Sequence, residues 1–204
     1  MVRNNMKEDK SFEIGFKELD ENFILSLIVT IDKLGIIYKT TGVLFGNDWD
    51  IKEASAETLP GHLVKDYYTI YKPILKEDKQ DELLTIKNDL TELFDGKISM
   101  NGYMVRKGKF NATNPSNLDL ASKVTIYNPK TSDATIIDIR AKDRPGLLFQ
   151  ISQVLYFSAI SIISITAHSE SGEIRDTFLV KTDKGQRLQD YMMERLTLSL
   201  KSII

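Results

Sequence analysis

The 204-residue sequence predicts an α+β protein made of two copies of one small unit, each an antiparallel sheet with two helices on one face. Three observations predict it. One apolar rhythm occurs twice, over 23–71 and over 135–180. Each copy alternates between the period of about 3.6 that marks helices and the period of 2 that marks strands. Each copy is also preceded by a further apolar run ending in a turn, at 11–29 and 123–139.

The register of the repeat rests on Gly35 and Gly146. With these aligned, Ile36, Ile37, Thr40, Val43 and Leu44 fall opposite Leu147, Leu148, Ile151, Val154 and Leu155, the positions of one helical face. Ile51 then matches Ile162. After a one-residue difference in the hairpin, Asp66, Tyr68 and Ile70 match Asp176, Phe178 and Val180.

Taken in order, the first unit reads as a strand over 22–31, a helix over 35–46, strands over 49–58 and 63–72 around the Pro60-Gly61 turn, and a helix over 79–95 with Asp78 as its N-cap. The second reads as a strand over 134–141, a helix over 146–157, strands over 160–169 and 173–181 around Ser171-Gly172, and a helix over 186–203. In the last helix Leu188, Met192, Leu196 and Leu200 make one stripe. This is the ferredoxin-like βαββαβ arrangement short of its last strand. The segments 11–29 and 123–127 supply the missing edge from upstream, the latter antiparallel to 134–141 across a turn rich in Asn, Pro and Asp. The domains expected are therefore 11–96 and 123–204, with 97–122 as a connection in which "KISMNGYMV" is assigned to neither helix nor strand.

Composition narrows the function. Lys+Arg 27 against Asp+Glu 29 leaves a formal charge of −2 with no long run of one sign, so a nucleic-acid footprint is missing. The absence of cysteine removes thiol nucleophiles, disulfides and Cys-ligated metal, and fits a reducing compartment. Residues 1–10 carry no apolar signal segment and no stretch reaches membrane-spanning length, which gives a cytoplasmic expectation. Met1 at the start favours a whole chain over a fragment. His62 and His168 are the only histidines and belong to no nucleophile or ligand cluster, so neither catalysis, a metal nor a cofactor is expected. Trp49 reads as core or interface. Asp66 and Asp176 recur in register, and hairpin solubility accounts for them.

The turn Asp143-Arg144-Pro145-Gly146 is the feature that carries chemistry. Proline suits the first helical turn and glycine permits close approach. The helix start after it presents unpaired N–H groups and about half a positive charge, fit for a carboxylate, while Asp143 either caps the helix or accepts from an ammonium. An α-amino acid has both groups. Capping and loop geometry explain the same residues without a ligand.

"RAKDRPGLLFQISQVL" followed by "ISIISITAHSESGEIRDTFLVK" resembles an ACT domain, a small amino-acid-sensing module. The pair of units, with "KVTIYNPKTSDATIIDIRAKDRPGLL", is similar to the tandem ACT pair at the C-terminus of the uridylyltransferase that modifies the nitrogen-signalling PII protein. Nothing resembles that enzyme's nucleotidyltransferase or hydrolase domains. The resemblance implies a regulatory module without its enzyme: a non-catalytic sensor of a small ligand, with glutamine the first guess, that controls a partner enzyme. It further implies a site formed by Asp143, Arg144, Gly146, Leu147 and Leu148 with Ser161. In the first unit the corresponding set is Asp32, Gly35 and Ile36 with Asp50, where Leu34 replaces the proline and an extra acid replaces the serine. The alternatives are a ligand-free dimerisation or docking module and a regulatory fragment of a uridylyltransferase. Open sheet edges predict pairing of the two units within the chain, side by side or sheet to face, and association between chains.

Overall fold

The computed structural model describes residues 12–19, 22–29, 34–59, 61, 63–72, 78–110 and 121–204. The first unit comprises β1 (Phe12–Leu19), β2 (Asn22–Val29), α1 (Ile36–Gly46), β3 (Asp50–Leu59), β4 (Leu63–Tyr71) and α2 (Lys79–Phe94). A short helix α3 (Met100–Arg106) lies in the connection. The second unit comprises β5 (Lys123–Tyr127), β6 (Thr135–Lys142), α4 (Leu147–Phe157), β7 (Ile160–Glu170), β8 (Glu173–Thr182) and α5 (Asp190–Lys201).

All eight strands form one antiparallel sheet in the order β1-β2-β4-β3-β7-β8-β6-β5. Each unit does take its edge from upstream: β1 runs from Phe12 opposite Val29 to Leu19 opposite Asn22, and β5 from Lys123 opposite Arg140 to Tyr127 opposite Ile136. The units join side by side through β3 and β7, with Ala54 opposite Ala167, Ser55 opposite Thr166 and Ala56 opposite Ile165. One face of the sheet is covered. Phe23, Leu25, Tyr68, Ile70, Ile137, Ile139, Phe178 and Val180 alternate inward and share one core with the helices. Both α1 and α4 are apolar on nearly every side because they lie in the middle of that layer, against each other.

The repeat is physical as well as textual. Tyr38 stacks on Phe149 at 5.4 Å with an interplanar angle of 4°, and Thr41 Oγ1 lies 3.1 Å from Ser152 Oγ. Both pairs join residues at the offset that separates Gly35 from Gly146, as does Ser55 with Thr166 in the sheet. A contact between equivalent residues marks an approximate two-fold axis. It runs through all three pairs. Each unit also has a bulge in its seam strand, between Ile51 and Glu53 in β3 and between Ile162 and Ser164 in β7, again in equivalent places.

Several expectations need correction. The last helix begins at Asp190 rather than 186, since Leu188 is held outside it: its N–H donates to Thr135 Oγ1 at 2.9 Å and its carbonyl accepts from Asn128 at 3.0 Å. Pro145 precedes the helical turn, and Gly146 is the N-cap of α4. Residues 100–106 are helical because Ser99 Oγ accepts from Gly102 N and Tyr103 anchors the helix by donating to Asp89 at 2.9 Å. Asp78 caps α2 as read, accepting from Gln80 N. No helix among the described residues is long and apolar enough to cross a membrane.

Candidate functional site

Two clefts lie at the seam, related by the approximate two-fold. In the second cleft the start of α4, with Asp143, Arg144, Gly146, Leu147 and Leu148, faces Asp50–Glu53 of β3 in the other unit. In the first, Gly35 and Ile36 at the start of α1 face 160–163 of β7. Each encloses about 30 Å³.

Both helix starts are made by a left-handed glycine: Gly35 has φ 94° and Gly146 φ 78°. A Cβ on Gly146 would lie 2.6 Å from the Phe45 ring, and one on Gly35 would lie 2.7 Å from the Tyr156 ring. Backbone geometry and packing therefore both require glycine there. Among the described residues neither helix has a side-chain cap. Leu147 N–H closes the turn onto Arg144 O at 3.1 Å, and among the described residues no side chain caps the helix start.

Four acids and two cations determine the potential of the second cleft. The Asp143 carboxylate accepts from Ser169 Oγ instead of capping the helix. Asp50 Oδ1 accepts from Ile51 N at 3.0 Å, and burial, with the Asp143 charge nearby, raises its pKa. Asp176 is only 4% exposed. Burial pushes it up to about 7, against a hydrogen bond from the His168 amide and helped by the charge of Asp143. Glu53 sits 3.3 Å from His168 Nδ1. Of the cations, Arg144 is turned to the side chain of Gln150 and to Ile203 O at 2.6 Å, and Lys52 lies over the Tyr71 ring at 4.6 Å. The carboxylates Asp50, Asp143 and Asp176 thus line the cleft without a salt bridge among the described residues. Trp49 is 3% exposed, packs edge-to-face on Phe23 at 5.5 Å, and its Nε1–H, at the wall of this cleft, has no hydrogen-bond partner among the described residues.

The first cleft is lined by fewer charged side chains. Ile160, Ser161 and Ile163 stand where the second has Trp49, Asp50 and Lys52, and Leu34 replaces Pro145. Its buried acid is Asp66, fully enclosed, which accepts from Tyr68 Oη at 3.2 Å.

Two expected groupings are exchanged. Ser161 lies with Gly35 and Ile36, and Asp50 lies with the 143–148 loop, because seam pairing brings each loop to the other unit's strand. Asp32 and His62 lie outside the described residues. Asp66 and Asp176 are not solubilising hairpin residues: both face inward. A signal for this was present, since each acid alternates with Tyr68 and Ile70, or Phe178 and Val180, at the period of 2 that puts them on the buried face. Trp49 is core, as one of its two readings had it. Among the described residues no group of three or more His, Asp or Glu could hold a metal ion.

No family model matches the chain. Among curated proteins it is similar to bifunctional uridylyltransferase/uridylyl-removing enzymes: 37% identical over 71 residues to that of Caulobacter vibrioides, 23% over 194 residues to that of Erythrobacter litoralis and 21% over 163 residues to that of Rhodospirillum rubrum. These alignments cover 35%, 93% and 79% of the chain. The chain spans 20% or less of the length of these relatives, 8% in the Caulobacter case. Among solved structures an aspartate kinase from Synechocystis aligns with 87% of this chain and 26% of its own, at 16% identity and a TM-score of 0.46. The chain is a pair of ferredoxin-like units joined in one antiparallel sheet, and it resembles part of the uridylyltransferases over most of its length.

Proposed function

We propose that this protein is a non-catalytic regulator that takes a small amino acid into the second cleft, between its two units, and passes the change to a partner enzyme. The observation that carries the reading is the uncapped start of α4 set against Asp50 and Asp176. A zwitterion has a carboxylate for the helix amides and an ammonium for the acids. The relatives' involvement in uridylyl transfer makes glutamine, as a nitrogen signal, the first ligand to test.

A cleft of about 30 Å³ is far smaller than any amino acid, so binding has to part α4 from β3. That is how occupancy would be transmitted. The free energy available for such coupling is about 1–3 kcal/mol. The same small volume favours a second reading, in which the seam stays closed and the pair of units serves only to dimerise or dock.

A thermal-shift screen of the common amino acids, glutamine first, separates the two. A ligand at 100 times its Kd stabilises the folded state by about 2.7 kcal/mol. The midpoint should rise with one amino acid, and Asp143→Ala should abolish the rise. If no amino acid moves it, the docking reading holds. Light scattering in the same titration reports association between chains, which we also propose, through the outer edges β1 and β5.

A further inference from the structure

Away from both clefts, on the uncovered face of the sheet, three cations stand side by side. Lys123 of β5 pairs in register with Arg140 of β6, and Arg140 with Arg175 of β8. All three are exposed. Like charges directly opposite one another on neighbouring strands are destabilising. Among the described residues none of the three has a carboxylate within 4.0 Å, whereas Arg106, Lys109 and Lys181 sit 2.6–2.7 Å from Glu92, Asp48 and Asp133.

The first unit shows that the fold does not need this row. The equivalent register there reads Glu13, Ile28, Lys65 and Glu57, a single cation beside an acid, while the second unit reads Lys123, Arg140, Arg175 and His168. His168 is already engaged by Glu53, so the unbalanced stretch is the three cations alone. They line a shallow recess of about 420 Å³ together with the hydroxyls of Thr125 and Thr177. Two acids also line the recess: Asp138, whose Oδ1 accepts from Thr177 Oγ1 at 2.7 Å, and Asp176, which is buried toward the covered face of the sheet. The recess keeps a positive excess.

We propose that this face binds a small, multiply charged anion of the phosphate class, bridging Lys123, Arg140 and Arg175. Strands about 4.8 Å apart spread the three positions over roughly 10 Å, a span that one monovalent ion cannot cover and a chain of linked phosphates can. Arginine offers paired donors to phosphate oxygens, and the Thr125 hydroxyl adds a neutral donor at the rim. The volume is that of a small-molecule site.

Calorimetric titration of the full chain with inorganic tripolyphosphate, at about 0.1 M salt, tests this. Binding is expected, weakening as salt rises, and at least tenfold weaker in the Arg140→Ala/Arg175→Ala double variant. Lys65→Ala, in the equivalent row of the first unit, should leave it within twofold. Asp143→Ala should do the same, so the outcome is independent of the amino-acid cleft. The unliganded double variant should melt no lower than the parent, because a repulsive contact is relieved. No binding by the parent overturns the proposal, as does binding that the double variant retains, or a double variant that is less stable when free.

Discussion

Asp176 and Asp89 show how surroundings decide the state of a buried acid. Burial raises the pKa of both. Around Asp89, Lys107 at 2.8 Å, Asn47 at 2.9 Å and Tyr103 at 2.9 Å more than reverse that effect, and its pKa ends below the ordinary value. Asp176 has one backbone donor and the repulsion of Asp143, and stays at about 7. In the unfolded chain it would ionise near 4. Between those values the folded state holds a proton that the unfolded state has lost, so stability should fall as pH rises from about 4 to about 7 and level off above. A separation of that size corresponds to about 4 kcal/mol. Asp176→Asn should remove most of this slope and stabilise the protein at pH 8; urea unfolding of both proteins across pH 4.5–8 measures it. An unchanged slope would mean that Asp176 is ionised throughout. That this acid is buried could be read from its place in the alternation, but its raised pKa could not, because the charge beside it is that of Asp143, in a loop 33 residues upstream.

Helices α1 and α4 pack against each other at the centre of the molecule. Their contact includes the Tyr38–Phe149 stack, the reciprocal insertion of Phe45 against Gly146 and Tyr156 against Gly35, and the Thr41–Ser152 hydrogen bond at the centre. Each hydroxyl also has a carbonyl of its own helix, Ile37 O at 2.7 Å for Thr41 and Phe149 O at 2.8 Å for Ser152, so either can lose the other without being left unpaired. A double-mutant cycle with Thr41→Val and Ser152→Ala should therefore give a coupling of about 1 kcal/mol, no more than a single hydrogen bond. Chemical denaturation of the four proteins measures it, and additivity within error would show that the two helices are held by packing alone. Both helices were legible in the sequence from apolar spacing. The front of α5 was not, since Leu188 fits the stripe but is held by Thr135 and Asn128 from 53 and 60 residues upstream. Nor was α3, where seven residues carry too short a pattern and contact with Asp89 supplies the support.

The molecule as a whole is one continuous sheet with one continuous helical layer, and its main core runs across both units, with a small second cluster of Leu27, Val29, Ile36 and Val64 in the first. Unfolding should thus be a single cooperative transition. Trp49 is the only tryptophan and sits beside the seam, so its fluorescence reports the junction while far-UV circular dichroism reports the strands and helices. The two urea transitions should coincide; a fluorescence change at lower urea would show that the units separate before they melt. The repeat, the strand and helix types, the upstream edge strands and the glycine turns were readable along the chain, because periodicity and turn chemistry are properties of neighbouring residues. The side-by-side joining of β3 to β7, the exchange of Asp50 and Ser161 between the two clefts and the gathering of Asp50, Asp143 and Asp176 around one of them were decided only in three dimensions. They depend on contacts between residues about 110 positions apart, and such contacts leave no local pattern behind.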